Sequence, residues 1–339
     1  MRITVLTHAE TEDDKEVDIA VTQVAQALRE LGHTVSILSV FGDIKKLIAG
    51  LSRRRPDLVF NMMEMWGEDI GGDIPVVGLL EMLGLHYTGC GPGEFYLGQD
   101  KALAKKILAF EGVAYPKFAV FSRNAGFETG GNLRMPLFVK PLTADASIGI
   151  EGDSLVHDAT ALMKRVVSIH ENVKDSALAE EYIDGREFYV GVLGNEDPVV
   201  FPPIEVDFSG MPEGAPHIMG AKAKFDVDSP EYKGTQSVLA EVPDELRARL
   251  QQTALQAYRA LRVRDYGRVD MRLAETGEIY VLEVNASCYL EKTSEFATAA
   301  AAIGIEYTPL IGRIVELALA RQAPVAKPKK RRARTAKAA

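Results

Sequence analysis

The sequence is poor in cysteine, in long apolar runs and in repetition. Cys90 and Cys288 are the only thiols in 339 residues, which does not suggest a disulfide framework and makes a reducing compartment the simplest setting. No apolar run approaches the ~20 residues of a membrane span, so no membrane partner is expected. The opening residues, MRITVLTHAE, pass straight into a strand-like run without the extended apolar core of a secretory leader, and a cytoplasmic location is the expectation. There is no internal repeat. The Gly-rich run Thr88–Gly93, TGCGPG, lacks the G-x-G-x-x-G spacing and follows no clear strand-turn-helix context, which rejects dinucleotide binding.

What is present is an ordinary soluble composition, 47% hydrophobic and 26% charged, in a chain long enough for two or three domains. Charge is unevenly placed. Residues 324–339 carry seven Lys and Arg and no acid, whereas the rest of the chain carries 32 basic against 48 acidic side chains. A tail this basic and Pro-broken is expected to be disordered. It reads either as a tether to nucleic acid or another polyanion, or as a solubilising segment without a specific partner. The acidic body argues against DNA as the main substrate.

Periodicity divides the chain. Residues 1–98 alternate strand and helix: Ile3–Leu6, Thr34–Val40 and Asp57–Asn61 read as strands, Ser52–Pro56 as a charged turn and Ile74–Leu83 as a helix. Val17, Ala20, Val21, Val24, Leu28 and Leu31 recur at helical spacing until Gly32. This is βαβ logic with a parallel sheet. Residues 99–185 form a small α+β lobe, with a helix opening at Asp100–Lys105, strands at Lys117–Phe121, Leu137–Lys140 and Ala177–Tyr182, and a helix near Asp158–Ser168. Residues 186–322 alternate strands and loops before helices at Asp244–Leu261, Glu295–Ala302 and Tyr307–Ala320, and 323–339 is the tail.

The most informative stretch is Asp265–Ser294, DYGRVDMRLAETGEIYVLEVNASCYLEKTS. Two alternating segments flank Glu275-Thr276-Gly277-Glu278, which contains the Gly expected of a hairpin turn. Alternation puts Arg268 and Asp270 on one face, and likewise Glu283 and Asn285. Two carboxylates and an amide oxygen suit Mg²⁺ and triphosphate, and an Arg beside them can hold a developing anion. A solvated strand face with ion pairs would show the same residues. Elsewhere, Lys140 leads into K-P-L-T-A-D-A-S-I-G-I, a small-residue loop able to close over triphosphate, with Gly149 allowing close backbone approach. The run Glu180–Phe188 offers strand-edge backbone groups at Glu181, Tyr182 and Ile183 to an adenine edge, and Glu187 to ribose hydroxyls.

R-V-D followed by E-V-N resembles the metal-binding core of ATP-grasp ligases, and D-alanine–D-alanine ligases most closely, over nearly the whole chain. The resemblance implies an ATP-grasp fold, with the N-terminal parallel βαβ domain joined to two lobes that clamp ATP. It implies two Mg²⁺ ions (or Mn²⁺) on Asp270, Glu283 and Asn285, with Glu283 bridging. Lys101 and Lys140 match the two ATP lysines, Ser147 and Gly149 the phosphate-covering loop, and Glu180 the adenine-contacting acid. Lys224, in GAKAKFDVDSP, resembles the lysine of the loop over the γ-phosphate, with Lys222 as its rival. Arg268 takes the oxyanion role. Ser294 matches the position that binds the second substrate's carboxylate, where a helix N-terminus would help. Glu16 matches the acid that grips the first substrate's ammonium, though an acid in a helical first turn is favourable in itself.

The implied activity joins a carboxylate to an amine through an acyl phosphate, releasing ADP and phosphate, in a homodimer acting on small molecules. Three departures concern the substrate pocket: Ala146 replaces the first of two serines, Phe225 replaces a tyrosine, and Ala286-Ser287-Cys288-Tyr289 replaces a small-Pro-Gly turn. They favour a ligase for other amino acids or peptides outside cell-wall synthesis. A non-catalytic ATP sensor tethered by the tail is the reading from another class.

Overall fold

The computed structural model describes residues 1–321, except Asp13, Lys15, Ile70, Ala125, Gly130, Ala146 and the side chain of Phe225. The basic tail therefore lies outside the described residues, as does the Ala146 departure.

β1 (Arg2–His8) is the middle strand of a parallel sheet, flanked by β2 (Thr34–Val40) and β3 (Leu58–Met62). Its continuous apolar run is buried on both faces, as a central parallel strand requires. α1 (Ile19–Glu30) crosses from β1 to β2, capped by the Asp18 carboxylate on the Ala20 N–H and stopped at Gly32, whose φ is +83°. α2 (Ile44–Arg54) crosses from β2 to β3 behind an Asp43 cap. The expected Ser52–Pro56 turn is thus partly the end of this helix, whose long charged side chains obscured its apolar stripe. α3 (Asp73–Met82) and α4 (Pro92–Gln99) follow, then α5 (Lys101–Phe110), capped by Asp100. The sequence reading contains no helix at α4. Its eight residues include two glycines and show little periodicity, and Pro92 at its first position is the remaining start signal.

β4 (Phe118–Phe121), β5 (Phe127–Thr129), β6 (Leu137–Pro141), β7 (Leu155–Val156) and β8 (Ala177–Glu181) form an antiparallel sheet in the order β5-β4-β8-β6-β7. α6 (Ala159–Ser168) covers one face, over Leu137, Val139 and Ala179. Alternation turns Phe138, Lys140 and Glu180 towards the opposite face.

β9 (Gly185–Leu193), with β10 (Val199–Val200) beside it, and β11 (Ile204–Asp207) open the third sheet. After α7 (Ala221–Phe225) and α8 (Pro230–Lys233) come β12 (Gln236–Leu239) and α9 (Asp244–Ala260). β13 (Tyr266–Ala274) and β14 (Ile279–Asn285) complete the order β12-β11-β9-β13-β14. α10 (Glu295–Ala301) and α11 (Tyr307–Arg321) end the described chain. The architecture is thus mixed α/β and α+β, with one parallel and two antiparallel sheets.

The main cores ignore the sequence divisions. Leu6, Leu47 and Leu80 share one core with Phe188, Val269 and Val284. Ile3, Leu28 and Phe60 share another with Tyr266, Phe296 and Ile314. The first and third sheets therefore pack as one body, while the middle lobe has two small clusters of its own and lends Ala104 and Leu108 of α5 to the first core.

Candidate active site

The hairpin forms as its turn chemistry predicts. The Gly277 N–H donates to the Ala274 carbonyl at 2.8 Å with φ +83°, and the strands pair Arg268 with Asn285 and Asp270 with Glu283. The register then shifts at Asp270/Met271, so Leu282 stands as a bulge residue. Its carbonyl accepts from Lys105 Nζ at 2.8 Å. The bulge keeps Glu283 and Asn285 on the face of Arg268 and Asp270 although the strands slip beyond it.

Three of the four side chains make one network, and Glu283 is held separately, by Lys101. Arg268 forks Asp270, Nε to Oδ1 at 2.7 Å and Nη2 to Oδ2 at 2.9 Å. Asn285 Nδ2 donates to Asp270 Oδ2 at 3.0 Å, which leaves its amide oxygen as an acceptor for a cation. Arg268 Nη1 also lies 3.5 Å from Glu295, and the guanidinium sits 4.5 Å from the Tyr189 ring centroid. Burial raises Asp270 above the usual carboxylate range, against the pull of Arg268. Burial would raise Glu283 too, but Lys101 and Lys140 outweigh it and hold this carboxyl down at about 2.

Lysines face these acids from the middle lobe and α5. Lys101 Nζ lies 3.2 Å from Glu283 and donates to the Ala144 carbonyl at 2.8 Å. Lys140 Nζ lies 3.3 Å from Glu180, whose other oxygen is 2.8 Å from Lys105 Nζ. Lys105 was not among the expected residues. It is 1% exposed, one helical turn after Lys101, and that i, i+4 spacing was the signal that could have found it. Against the cost of burial, Lys105 and Lys140 together draw Glu180 below its ordinary range.

A cleft of about 110 Å³ collects most of the expected nucleotide residues: Lys140, Ser147, Glu180, Glu181, Tyr182, Ile183, Glu187, Lys224, Asp270 and Glu283. Phe138 and Leu282 supply apolar lining. The Glu181 N–H is already taken by the Lys117 carbonyl at 2.8 Å and that of Tyr182 by Pro136 at 3.1 Å, which narrows the strand-edge donors to Ile183. Two residues unnoticed in the sequence also line the cleft. Tyr189 Oη donates to Glu187 Oε1 at 2.9 Å, and Arg272 forks Glu187 Oε2 at 2.7 and 3.0 Å. Continuing the period-2 count from Asp270 and from Glu187 would have reached both.

The cleft is small because two loops meet over it. Ser147 Oγ donates to the Met219 carbonyl at 3.2 Å, and the Ala221 N–H to the Ile150 carbonyl at 3.4 Å. Ligand pockets start at roughly 300 Å³, so entry of a nucleotide requires these contacts to part. Lys224, on α7, reaches the cleft, whereas Lys222 is exposed. Gly149 does not line it. Its φ is +69°, and a Cβ there would come within 2.9 Å of Pro141 and Val173, so the structure requires this glycine for folding the loop against the middle lobe.

The expected substrate residues are more scattered. Ser294 is the N-cap of α10, its hydroxyl accepting from the Ala297 N–H at 3.4 Å. Glu16 is exposed and precedes the Asp18 cap, so it belongs to the loop before α1 and not to the helix's first turn. Tyr289 Oη bonds the Asp18 carboxylate, 3.0 Å from each oxygen, and so connects the strand end to the N-terminal domain. Phe225 closes α7.

A parallel domain followed by two antiparallel lobes, with lysines and carboxylates converging between them, defines an ATP-grasp protein. The family model described as D-ala D-ala ligase C-terminus matches residues 107–316. An uncharacterised protein, y4sG of Sinorhizobium fredii, is 34% identical over 304 residues, covering 87% of this chain and 86% of that protein. The D-alanine–D-alanine ligase of Desulforudis audaxviator is 31% identical over 300 residues, covering 87% and 91%. The chain belongs to the D-alanine–D-alanine ligase family of ATP-grasp ligases. Solved structures agree in fold. The D-alanine–D-alanine ligase from Bacillus anthracis complexed with ATP matches with TM-score 0.73 at 23% identity, covering 95% of this chain and 98% of that one. The VanG D-Ala:D-Ser ligase from Enterococcus faecalis matches with TM-score 0.71 at 22% identity, covering 94% and 99%.

Proposed function

We propose that this chain is an ATP-dependent ligase that joins a carboxylate to an amine through an acyl phosphate. The observation that carries the reading is the cross-strand set Arg268, Asp270, Glu283 and Asn285 on the cleft side, met by Lys101 and with Lys140 and Lys224 lining the same cleft. Among the described residues no three His, Cys, Asp or Glu side chains gather to hold a metal by themselves. Two carboxylates, one of them strongly acidic, and an amide oxygen are hard donors that fit Mg²⁺ shared with a triphosphate. Bound there, Mg²⁺ would neutralise charge on the transferred phosphoryl group.

The chain's own residues do the rest. Lys101, Lys140 and Lys224 hold the phosphates, and the substrate carboxylate attacks the γ-phosphorus as the bond to ADP breaks. The amine then attacks the acyl carbon, Arg268 steadies the tetrahedral anion, and phosphate leaves. Closure of the Ser147 loop on Met219 keeps water from the acyl phosphate. Small-molecule substrates, a homodimer and a cytoplasmic setting complete the reading, and the described residues include no helix long and apolar enough to cross a membrane. The Tyr289–Asp18 bond favours a substrate pair other than two D-alanines, because a phenol now fills the turn that follows the metal strand.

The test is phosphate release by the purified chain with Mg-ATP and pooled D- and L-amino acids, with product masses read in parallel. A condensation product with stoichiometric phosphate supports the reading and names the substrates. D-Ala-D-Ala as product would remove the preference for another pair, and failure to bind ATP would overturn the ligase itself.

A further inference from the structure

Arg272 is 4% exposed and lines the cleft. The β13–β9 register sets it directly opposite Glu187, two steps along from Asp270 opposite Tyr189. Nε and Nη2 fork Glu187 Oε2 at 3.0 and 2.7 Å. Nη1 donates to the Ile183 carbonyl at 2.8 Å, and Nη2 donates as well to the His217 carbonyl. The guanidinium lies 5.0 Å from the Tyr182 ring centroid, and Tyr182 Oη reaches the same His217 carbonyl at 3.4 Å. One side chain thereby joins the Tyr182–Ile183 edge, the Glu187 carboxylate and the segment leading into the helix of Lys224.

A buried ion pair gains little net stability over an apolar pair of the same shape. What a guanidinium fork adds is direction, because two planar donors converging on Oε2 fix where that oxygen lies. Tyr189 pins the other oxygen of Glu187, so the carboxylate is held from two sides, while its remaining lone pairs can still accept from vicinal hydroxyls.

We propose that Arg272 is a positioning residue for the nucleotide, orienting Glu187 towards the ribose hydroxyls and locking the Lys224-bearing segment against the Tyr182–Ile183 edge. This rests on the ATP reading of the cleft. Arg272 has no described contact with Asp270, Glu283 or Asn285; it acts through Glu187 and the His217 carbonyl.

The experiment measures binding of ATP and of 2′,3′-dideoxy-ATP, each with Mg²⁺, to the full-length wild type, Arg272→Met and Arg272→Lys by calorimetry. Hydrogen exchange over residues 212–224 is followed with ATP bound. The wild type is expected to prefer ATP by about tenfold, the worth of one charge-assisted hydrogen bond to a ribose hydroxyl. In both variants that preference should collapse to within about twofold, and exchange in 212–224 should rise. Arg272→Lys keeps the charge without the fork, so it tests orientation even where the methionine variant folds poorly. Variants that bind both nucleotides more weakly yet keep the wild-type preference would overturn the proposal, leaving Arg272 a merely structural residue. A wild type that binds ATP without ribose preference would overturn it as well. A wild type that binds neither nucleotide would instead sink the ATP reading, and the proposal with it.

Discussion

Asp270 and Glu283 face each other across the β13–β14 register, yet opposite charges hold them from different elements. Asp270 is forked by Arg268 on its own strand, at 2.7 and 2.9 Å, and Glu283 is met by Lys101 from α5 at 3.2 Å. The pair therefore connects Arg268 on β13 to Lys101 on α5. If the proposed ligase chemistry uses both carboxylates, Asp270→Asn and Glu283→Gln should each lower turnover by about a hundredfold or more, because each removes a charge that the proposal places in the transition state. Phosphate-release kinetics check this. Wild-type turnover in both would exclude the hairpin as the reaction centre.

Tyr189 should show a split between ring and hydroxyl. Its ring supports Arg268 at 4.5 Å and its hydroxyl bonds Glu187 at 2.9 Å. A buried cation–π contact is worth about 2 kcal/mol, so Tyr189→Leu should reduce kcat by roughly tenfold or more. Tyr189→Phe keeps the ring and should act mainly on KM for ATP. Equal kcat losses in the two variants would show that the ring does not steady Arg268.

Stability should fall as pH rises through the weakly acidic range because of Asp73. Burial, assisted by the charge of Asp145, raises this carboxyl from 3.8 to about 7, although the Ile74 N–H bonds it at 2.9 Å. The folded state then holds a proton that the unfolded state has released, so melting temperature should decline between about pH 4 and pH 7 and level off above. Asp73→Asn should flatten that slope in a pH series of thermal melts. An unchanged slope would show that Asp73 is ionised at low pH in the fold.

Arg321, at the end of α11, anchors the fold. Arg321 donates to Asp265, which is fully buried, at 2.8 Å, and to the carbonyls of Tyr87 at 2.9 Å and Gly89 at 3.0 Å. Removing one partner of a buried pair costs about 3–5 kcal/mol. Arg321→Met should melt well below the wild type in thermal denaturation. A wild-type melting temperature in that variant would refute the anchor.

Local order was legible in the sequence because it is written at short range. The Gly32 stop ends α1, Thr34–Val40 is a strand end to end, and Gly277 closes the hairpin, whereas the sequence reading starts α1 too early, at Glu16, because it passes over the Asp18 cap. Period-2 parity alone put Arg268 with Asp270 and Glu283 with Asn285, and residues spaced by two share a face whatever the strands pack against. Tertiary structure decided what depends on which distant segment arrives opposite. The bulge at Leu282, the buried Lys105–Glu180 pair and the Tyr289–Asp18 bond each join parts of the chain that no periodicity relates. The same holds for the meaning of single residues. Arg272 reads as one more alternating position until β9 brings Glu187 against it, and the steric need for glycine at 149 is visible only where Pro141 and Val173 close on it. Backbone geometry repeats every few residues and can be counted. Packing partners are selected by the collapse of the whole chain, and only the folded molecule displays them.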